Sequence, residues 1–170
     1  MLPIRRQAIL TSAFVVVVFA ATAAAGVRTT PTVKTAQNQT LKTKIIVSAA
    51  GRTLYHLSSE KGKKFICTGG CVTIWPPLTI PRGAKPVAGP GVNKSKLGTI
   101  KRPDGRIQVT YYGLTLYRYS GDLKTGQTKG EGVEKIWYAV SPAGKLVKKA
   151  ASGGGGGYGG GGGYGGGYGG

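Results

Sequence analysis

Histidine, acidic residues and cysteine are scarce in this 170-residue chain, which has one His, five Asp+Glu and two Cys against 24 Lys+Arg and 31 Gly. One histidine and five acids cannot furnish a His-rich metal centre or an obvious set of triad partners. No catalytic residue, metal site or cofactor is therefore expected. The glycine-rich stretch 153–170 lacks the Lys-Ser/Thr ending and following helix that a phosphate-binding loop needs. A lipid anchor would require a cysteine at the export cleavage point, and the first cysteine is Cys67. After the N-terminal segment no stretch sustains a 3.6-residue apolar period, which argues against helices.

The two ends of the chain differ from its middle. Arg5 and Arg6 precede an uncharged segment centred on Phe14, Val15, Val16, Val17, Val18 and Phe19. Small residues follow at Ala21, Ala23, Ala24 and Ala25. This order predicts a signal peptide over 1–25, cleaved before Gly26. An uncleaved single-span anchor is the alternative use of the same segment, and the only route by which the chain would be anchored in a membrane. Residues 26–42 are polar, with Thr29, Thr30, Thr32, Gln37, Asn38 and Gln39, and read as a linker. The tail 150–170 is glycine from 153 onward, interrupted only by Tyr158, Tyr164 and Tyr168. With no core-forming side chains it is expected to be disordered, as a spacer or as a segment whose tyrosines stack or cross-link.

Between these ends the chain repeats itself. Gly51, Thr53, Leu54, Tyr55, Ser58 and Glu60 recur as Gly113, Thr115, Leu116, Tyr117, Ser120 and Asp122, at an offset of 62 residues. The same ungapped offset pairs Trp75 with Trp137, Ile45 with Ile107 and Val47 with Val109. The repeat predicts a domain over 43–149 made of two related units, 43–104 and 105–149. In each unit a β-branched or aromatic run, Lys44 to Ser48 or Arg106 to Tyr111, precedes a glycine and a second run, Thr53 to Ser58 or Leu114 to Ser120. Those are hairpins. Pro103-Asp104-Gly105 and Ser141-Pro142-Ala143-Gly144 read as turns, the first joining Leu97–Lys101 to Arg106–Tyr112. The expected fold is a small, all-β, antiparallel domain. Its halves should pack on each other, because a unit of roughly 50 residues is marginal alone. Alternation sets Tyr55, Leu57, Tyr117 and Tyr119 on the face expected to turn inward. Trp75 and Trp137 anchor the shared core, or alternatively line a ligand groove.

Three constellations could carry chemistry. Cys67 and Cys71 enclose Thr68-Gly69-Gly70, and in an exported chain with two thiols the default is a disulfide. A redox-active pair beside Lys61, Lys63 and Lys64 is the alternative, although the spacing is not C-x-x-C. A metal held by Cys67, Cys71 and His56 would still need a fourth ligand. Glu60 and Asp122, at matching repeat positions, form the one acidic pair to weigh for general acid-base work. A shared acid after a strand more simply makes a turn or salt-bridge contact. Removing residues 1–25 takes away Arg5 and Arg6 and leaves 22 basic residues against 5 acidic, a net +17. That field should draw the chain to anionic wall or envelope polymers, phospholipid head groups or extracellular DNA, or serve solubility alone. Specific nucleic-acid recognition is not expected, because the signal is compositional.

At Tyr117-Arg118-Tyr119-Ser120-Gly121-Asp122 the chain resembles a bacterial family of secreted tandem repeats, often lipoproteins, with a Y-x-[FWY]-x-x-D motif and no known function. The first unit is similar through Gly51-Arg52-Thr53-Leu54-Tyr55 and through Cys67-Thr68-Gly69-Gly70-Cys71 leading into Trp75-Pro76-Pro77-Leu78. It departs at Leu57 and Glu60, where the motif has an aromatic and an Asp. The resemblance implies export, a repeat and a disulfide, and transfers no activity. The expected function is an exported, non-enzymatic module at the cell surface or envelope, with a redox or electron-transfer accessory using Cys67 and Cys71 as the alternative.

Overall fold

The computed structural model describes residue 30, residues 32–62 and residues 64–148. The expected signal peptide and the Gly/Tyr tail lie outside the described residues. The observed fold is all-β and antiparallel. Strands β1 (Val33–Asn38) and β2 (Thr43–Ser48) form one ladder. Strands β3 (Tyr55–Leu57) and β8 (Trp137–Ala139) form a second. In a third sheet β6 (Ile107–Tyr111) lies between β4 (Thr79–Ile80) and β5 (Leu97–Lys101), and β7 (Leu114–Thr115) also pairs with β6. One helical turn, α1 (Cys71–Ile74), is the only α-helix among the described residues.

The repeat is a two-fold exchange of strands. Tyr55 and Tyr117 bond each other reciprocally, amide to carbonyl, at 2.8 and 2.9 Å. Around that pair each unit lends its Trp-bearing segment to the other. The Leu78 amide donates to the Leu116 carbonyl, and the Val140 amide to the Leu54 carbonyl. Ser120 bonds Ile74 as Ser58 bonds Ile136. Trp75 and Trp137 meet face to face, ring centroids 3.9 Å apart and nearly parallel, and both are buried. They are core anchors. Each also meets the tyrosine of its own unit edge-on, Tyr55 with Trp75 and Tyr117 with Trp137.

The expected unit boundaries move. Residues 26–42 are not a linker throughout, because β1 pairs along the whole of β2 and buries Val33 and Asn38. The boundary at 104/105 falls inside the β5–β6 hairpin, whose turn is the Pro103-Asp104-Gly105 expected to make it. β1–β2 is therefore the counterpart of β5–β6, and the units run from β1 to β4 and from β5 past β8. The register before the shared glycine also shifts by one. The Leu54 amide donates to Ile46, whereas the Leu116 amide donates to Val109, an offset of 63. The cause is loop length. Ser48 and Arg52 are joined by Ala49, Ala50 and Gly51, with positive φ at Gly51 alone, whereas Tyr112 and Gly113 close the other hairpin with both φ angles positive. The structural partner of Val109 is thus Ile46, not Val47.

The first hairpin is shorter than expected, since after Leu54 the chain leaves β2 and pairs across the two-fold as β3. Because partners surround this strand on every side, both of its faces are buried. Tyr55 and Leu57 join one core cluster with Ile45, Val47, Tyr117 and both tryptophans. Leu54 joins the other with Val33, Ile46, Val109, Tyr111, Leu116 and Val140.

Candidate functional site

Glu60 and Asp122 are brought together with the tyrosines of the opposite units. Each follows a turn closed by its own amide, Glu60 to Leu57 and Asp122 to Tyr119, which aims the carboxylate across the two-fold. The Tyr55 hydroxyl donates to Asp122 Oδ2 at 2.6 Å, and the Tyr117 hydroxyl lies 3.0 and 2.9 Å from the two oxygens of Glu60. The carboxylates then gather backbone amides at equivalent places. Asp122 Oδ1 accepts from the Lys129 amide, and Glu60 Oε1 accepts from Ile66 and Cys67. Both acids are buried with their oxygens occupied by donors of the chain. The geometry is that of a clamp between units and leaves no free carboxylate for acid-base work. Burial, with the adjacent Asp122 charge, pushes the Tyr55 hydroxyl far above its ordinary value. Burial and Glu60 push Tyr117 up to about 12. Burial also raises Asp122, against the opposing pull of its hydrogen bonds and of Arg52 and Lys129.

Around Tyr117 the clamp extends into a larger polar network that the sequence reading missed. Arg102 has no exposed side-chain surface. Its Nη1 donates to Gln108 Oε1 at 2.6 Å and to the Tyr117 hydroxyl at 3.0 Å, and its Nη2 donates to the Cys67 carbonyl at 2.7 Å. The guanidinium also lies 4.9 Å from the Phe65 ring centroid. On the far side the Thr115 hydroxyl donates to Glu60 Oε2 at 2.6 Å. His56 Nδ1 is 3.0 Å from the Thr115 carbonyl and 3.1 Å from its hydroxyl. A tautomer protonated at Nδ1 satisfies this carbonyl while the hydroxyl proton goes to Glu60. Burial lowers the His56 pKa from 6.5.

Cys67 and Cys71 form the expected disulfide, with Cα atoms 5.2 Å apart. The bridge ties the buried Cys67, whose amide and carbonyl are held by Glu60 and Arg102, to the first residue of α1. Its sulfurs are not thiolates in this form, and His56 aims Nδ1 at Thr115, so Cys67, Cys71 and His56 do not converge as ligands. Of the repeat-motif residues, Thr53, Leu54, Tyr55, Leu116, Tyr117 and Trp137 are core. Gly51 and Gly113 make the hairpin turns at positive φ. Tyr119 is half-buried against Trp75, ring centroids 4.5 Å apart.

Nearly all the free surface charge has one sign. Glu60 and Asp122 are buried, and Asp104 is held by Arg106 at 2.7 Å and by Arg102 at 3.3 Å, which keeps its carboxyl well below the usual range. Lys44, Lys61, Lys94, Lys101, Lys124 and Lys135 are all exposed. Among the described residues no helix is long and apolar enough to cross a membrane.

No curated protein and no solved structure matches the chain. Residues 98–141 match the model of a family described as a secreted repeat of unknown function. That stretch begins within β5 and ends just after β8, so it covers the second structural unit rather than the interval 105–149. The chain thus contains, in one of its two interlocked units, a segment similar to a secreted repeat.

Proposed function

We propose that this protein is an exported, non-catalytic module of the cell envelope that engages anionic wall polymers through its surface charge. The observation that carries this reading is the fate of the acids. Burial of Glu60 and Asp122 and pairing of Asp104 remove most of the negative charge from the exterior, while the lysines stay exposed. A cationic exterior on a rigid scaffold attracts polyanions over a Debye length and releases their counterions on contact. The similarity of residues 98–141 to a secreted repeat supports export. For the Cys67–Cys71 pair a structural role is favoured over a redox one, because both backbone groups of Cys67 are built into the clamp.

The test is binding of the mature protein to poly(glycerol phosphate), to polygalacturonate and to neutral dextran at low and high salt. Binding to both polyanions that falls steeply with salt, with none to dextran, is the expected result. Binding that is insensitive to salt, or equal for dextran, contradicts the reading.

A further inference from the structure

The two-fold is broken most visibly on one side of the molecule. A groove of about 450 Å³ opens there between the Ser48–Thr53 hairpin loop, the Pro76–Leu78 segment and the Arg118–Asp122 stretch. That volume lies within the range of small-molecule sites, roughly 300–1,000 Å³. Arg52 and Arg118 both line it. Among the described residues neither guanidinium has a hydrogen-bond or ion-pair partner, unlike Arg102 and Arg106. Arg118 is exposed and Arg52 half-buried.

At the related position other side chains take the place of these residues. There, His56 stands for Arg118, Leu114 for Arg52 and Tyr111 for Ser48. His56 and Tyr111 are buried, and Leu114 is packed against the second core cluster. The two sides also differ in loop length, Ala49-Ala50-Gly51 against Tyr112-Gly113, and the groove side carries two guanidinium groups with no hydrogen-bonded partner among the described residues.

The remaining lining combines the polar residues Thr32, Ser48, Thr53 and Ser120 with apolar surface. Ala49, Ala50, Pro76, Leu78 and the half-buried Tyr119 ring offer apolar surface of the kind on which the face of a sugar or polyol rests. Asp122, the one acid in the lining, is buried with both oxygens taken by Tyr55 and the Lys129 amide. Guanidinium groups suit planar, bidentate contact with phosphate or carboxylate better than lysines do. We infer that this groove is a binding site for a sugar or polyol unit bearing a phosphate or carboxylate, held by Arg52 and Arg118 with its carbon face on Tyr119. The inference rests on the proposed polyanion binding and gives it a place: one anionic unit of the polymer seats here, and the lysines act at longer range.

The experiment is an NMR titration of the full mature chain with glucose 6-phosphate, glucuronate, glucose and poly(glycerol phosphate), which separates free sugar anions from a polymer source. Saturable shifts confined to the amides of 48–53 and 118–122, with the two sugar anions and not with glucose, are expected. Affinity for the sugar anions should fall by about ten-fold or more in the Arg52→Gln/Arg118→Gln variant. It should fall likewise in Arg52→Leu/Arg118→His, which installs the residues of the other unit. A Lys94→Gln/Lys96→Gln variant removes the same charge elsewhere and should change affinity by less than about two-fold. Shifts scattered over the lysine-bearing surface, or equal losses in the arginine and lysine variants, overturn the groove and leave general polyanion binding standing. If the wild-type chain binds no polymer in a salt-dependent way, the broader reading fails, whatever the small anions do.

Discussion

Around Tyr117 the interior is polar, with Arg102, Gln108, Thr115, Glu60 and His56 joined by hydrogen bonds. Around Tyr55 the counterpart positions hold Asn38, Ile45, Thr53, Asp122 and Arg118. There the bonds are fewer, and the two from Asn38 and Thr53 end on backbone carbonyls. Asn38 reaches the Gly126 carbonyl, and Thr53 the Gln127 carbonyl. Ile45 joins the core cluster, and Arg118 stays in solvent. The backbone exchange and the tyrosine–carboxylate clamp are common to both centres, so they define the scaffold. What differs is the filling, and each filling has a consequence outside the core. The Arg102 network holds the disulfide loop, while the sparser centre frees Arg118 for the groove.

The comparison breaks most visibly if the buried arginine is removed. Arg102→Ala leaves Gln108, Tyr117 and the Cys67 carbonyl without their donor, and should cost about 3–5 kcal/mol in chemical denaturation. Asn38→Ala, its counterpart, should cost about 1–2 kcal/mol. Equal losses would mean that the two centres contribute alike. The carboxylates extend the same contrast. Glu60 accepts from four groups and Asp122 from two. An amide nitrogen in place of a Glu60 oxygen would face donors. Glu60→Gln should therefore destabilise by about 2–3 kcal/mol and Asp122→Asn by about half of that.

The disulfide belongs to one unit alone, since Lys129 and Val133 stand at the related positions. Closing so short a loop stabilises by roughly 2 kcal/mol, so reduction should lower the melting temperature without unfolding the chain at room temperature. Loss of the folded state on reduction would show that the bridge carries more than local order.

Acidification separates the two centres by sign. His56 is held neutral by burial, so its folded pKa is below 6.5 and the unfolded chain binds its proton first. Stability should fall as pH drops below 6.5, and His56→Gln should remove that part of the slope. Asp122 has a raised folded pKa, so it works the other way, favouring the folded state as pH falls through that value. Thermal melts of the two variants across this range check both signs. The smallest effect is expected at the surface. Lys94→Gln/Lys96→Gln should change stability by less than about 0.5 kcal/mol.

Much of this was legible in the chain because it is local or repeated. The motif pair, the tryptophans in register, the turns at Pro103-Asp104-Gly105 and Ser141-Pro142-Ala143-Gly144 and the cysteine spacing all appear in the fold. β1 escaped notice because four of its six residues are Lys, Thr, Gln and Asn and only Val33 and Ala36 are apolar, so its polar composition outweighed any alternation. Arg102 escaped for a related reason. A charged residue before Pro-Asp-Gly reads as solvated turn, and only contacts to Cys67 and Tyr117, 35 and 15 residues away, bury it. The exchange of Trp-bearing segments could not be read either, since pairing across two similar units leaves the same sequence pattern as pairing within each.

That exchange is the central claim, and native-state hydrogen exchange at the Tyr55 and Tyr117 amides tests it most directly. These amides bond each other across the two-fold, and each unit is completed by a segment of the other. Both should exchange only through global unfolding, at the same free energy and with the same denaturant dependence as the whole chain. Exchange of one amide at distinctly lower free energy, with the other still protected, would mean that the units open separately and would contradict the interlocked fold.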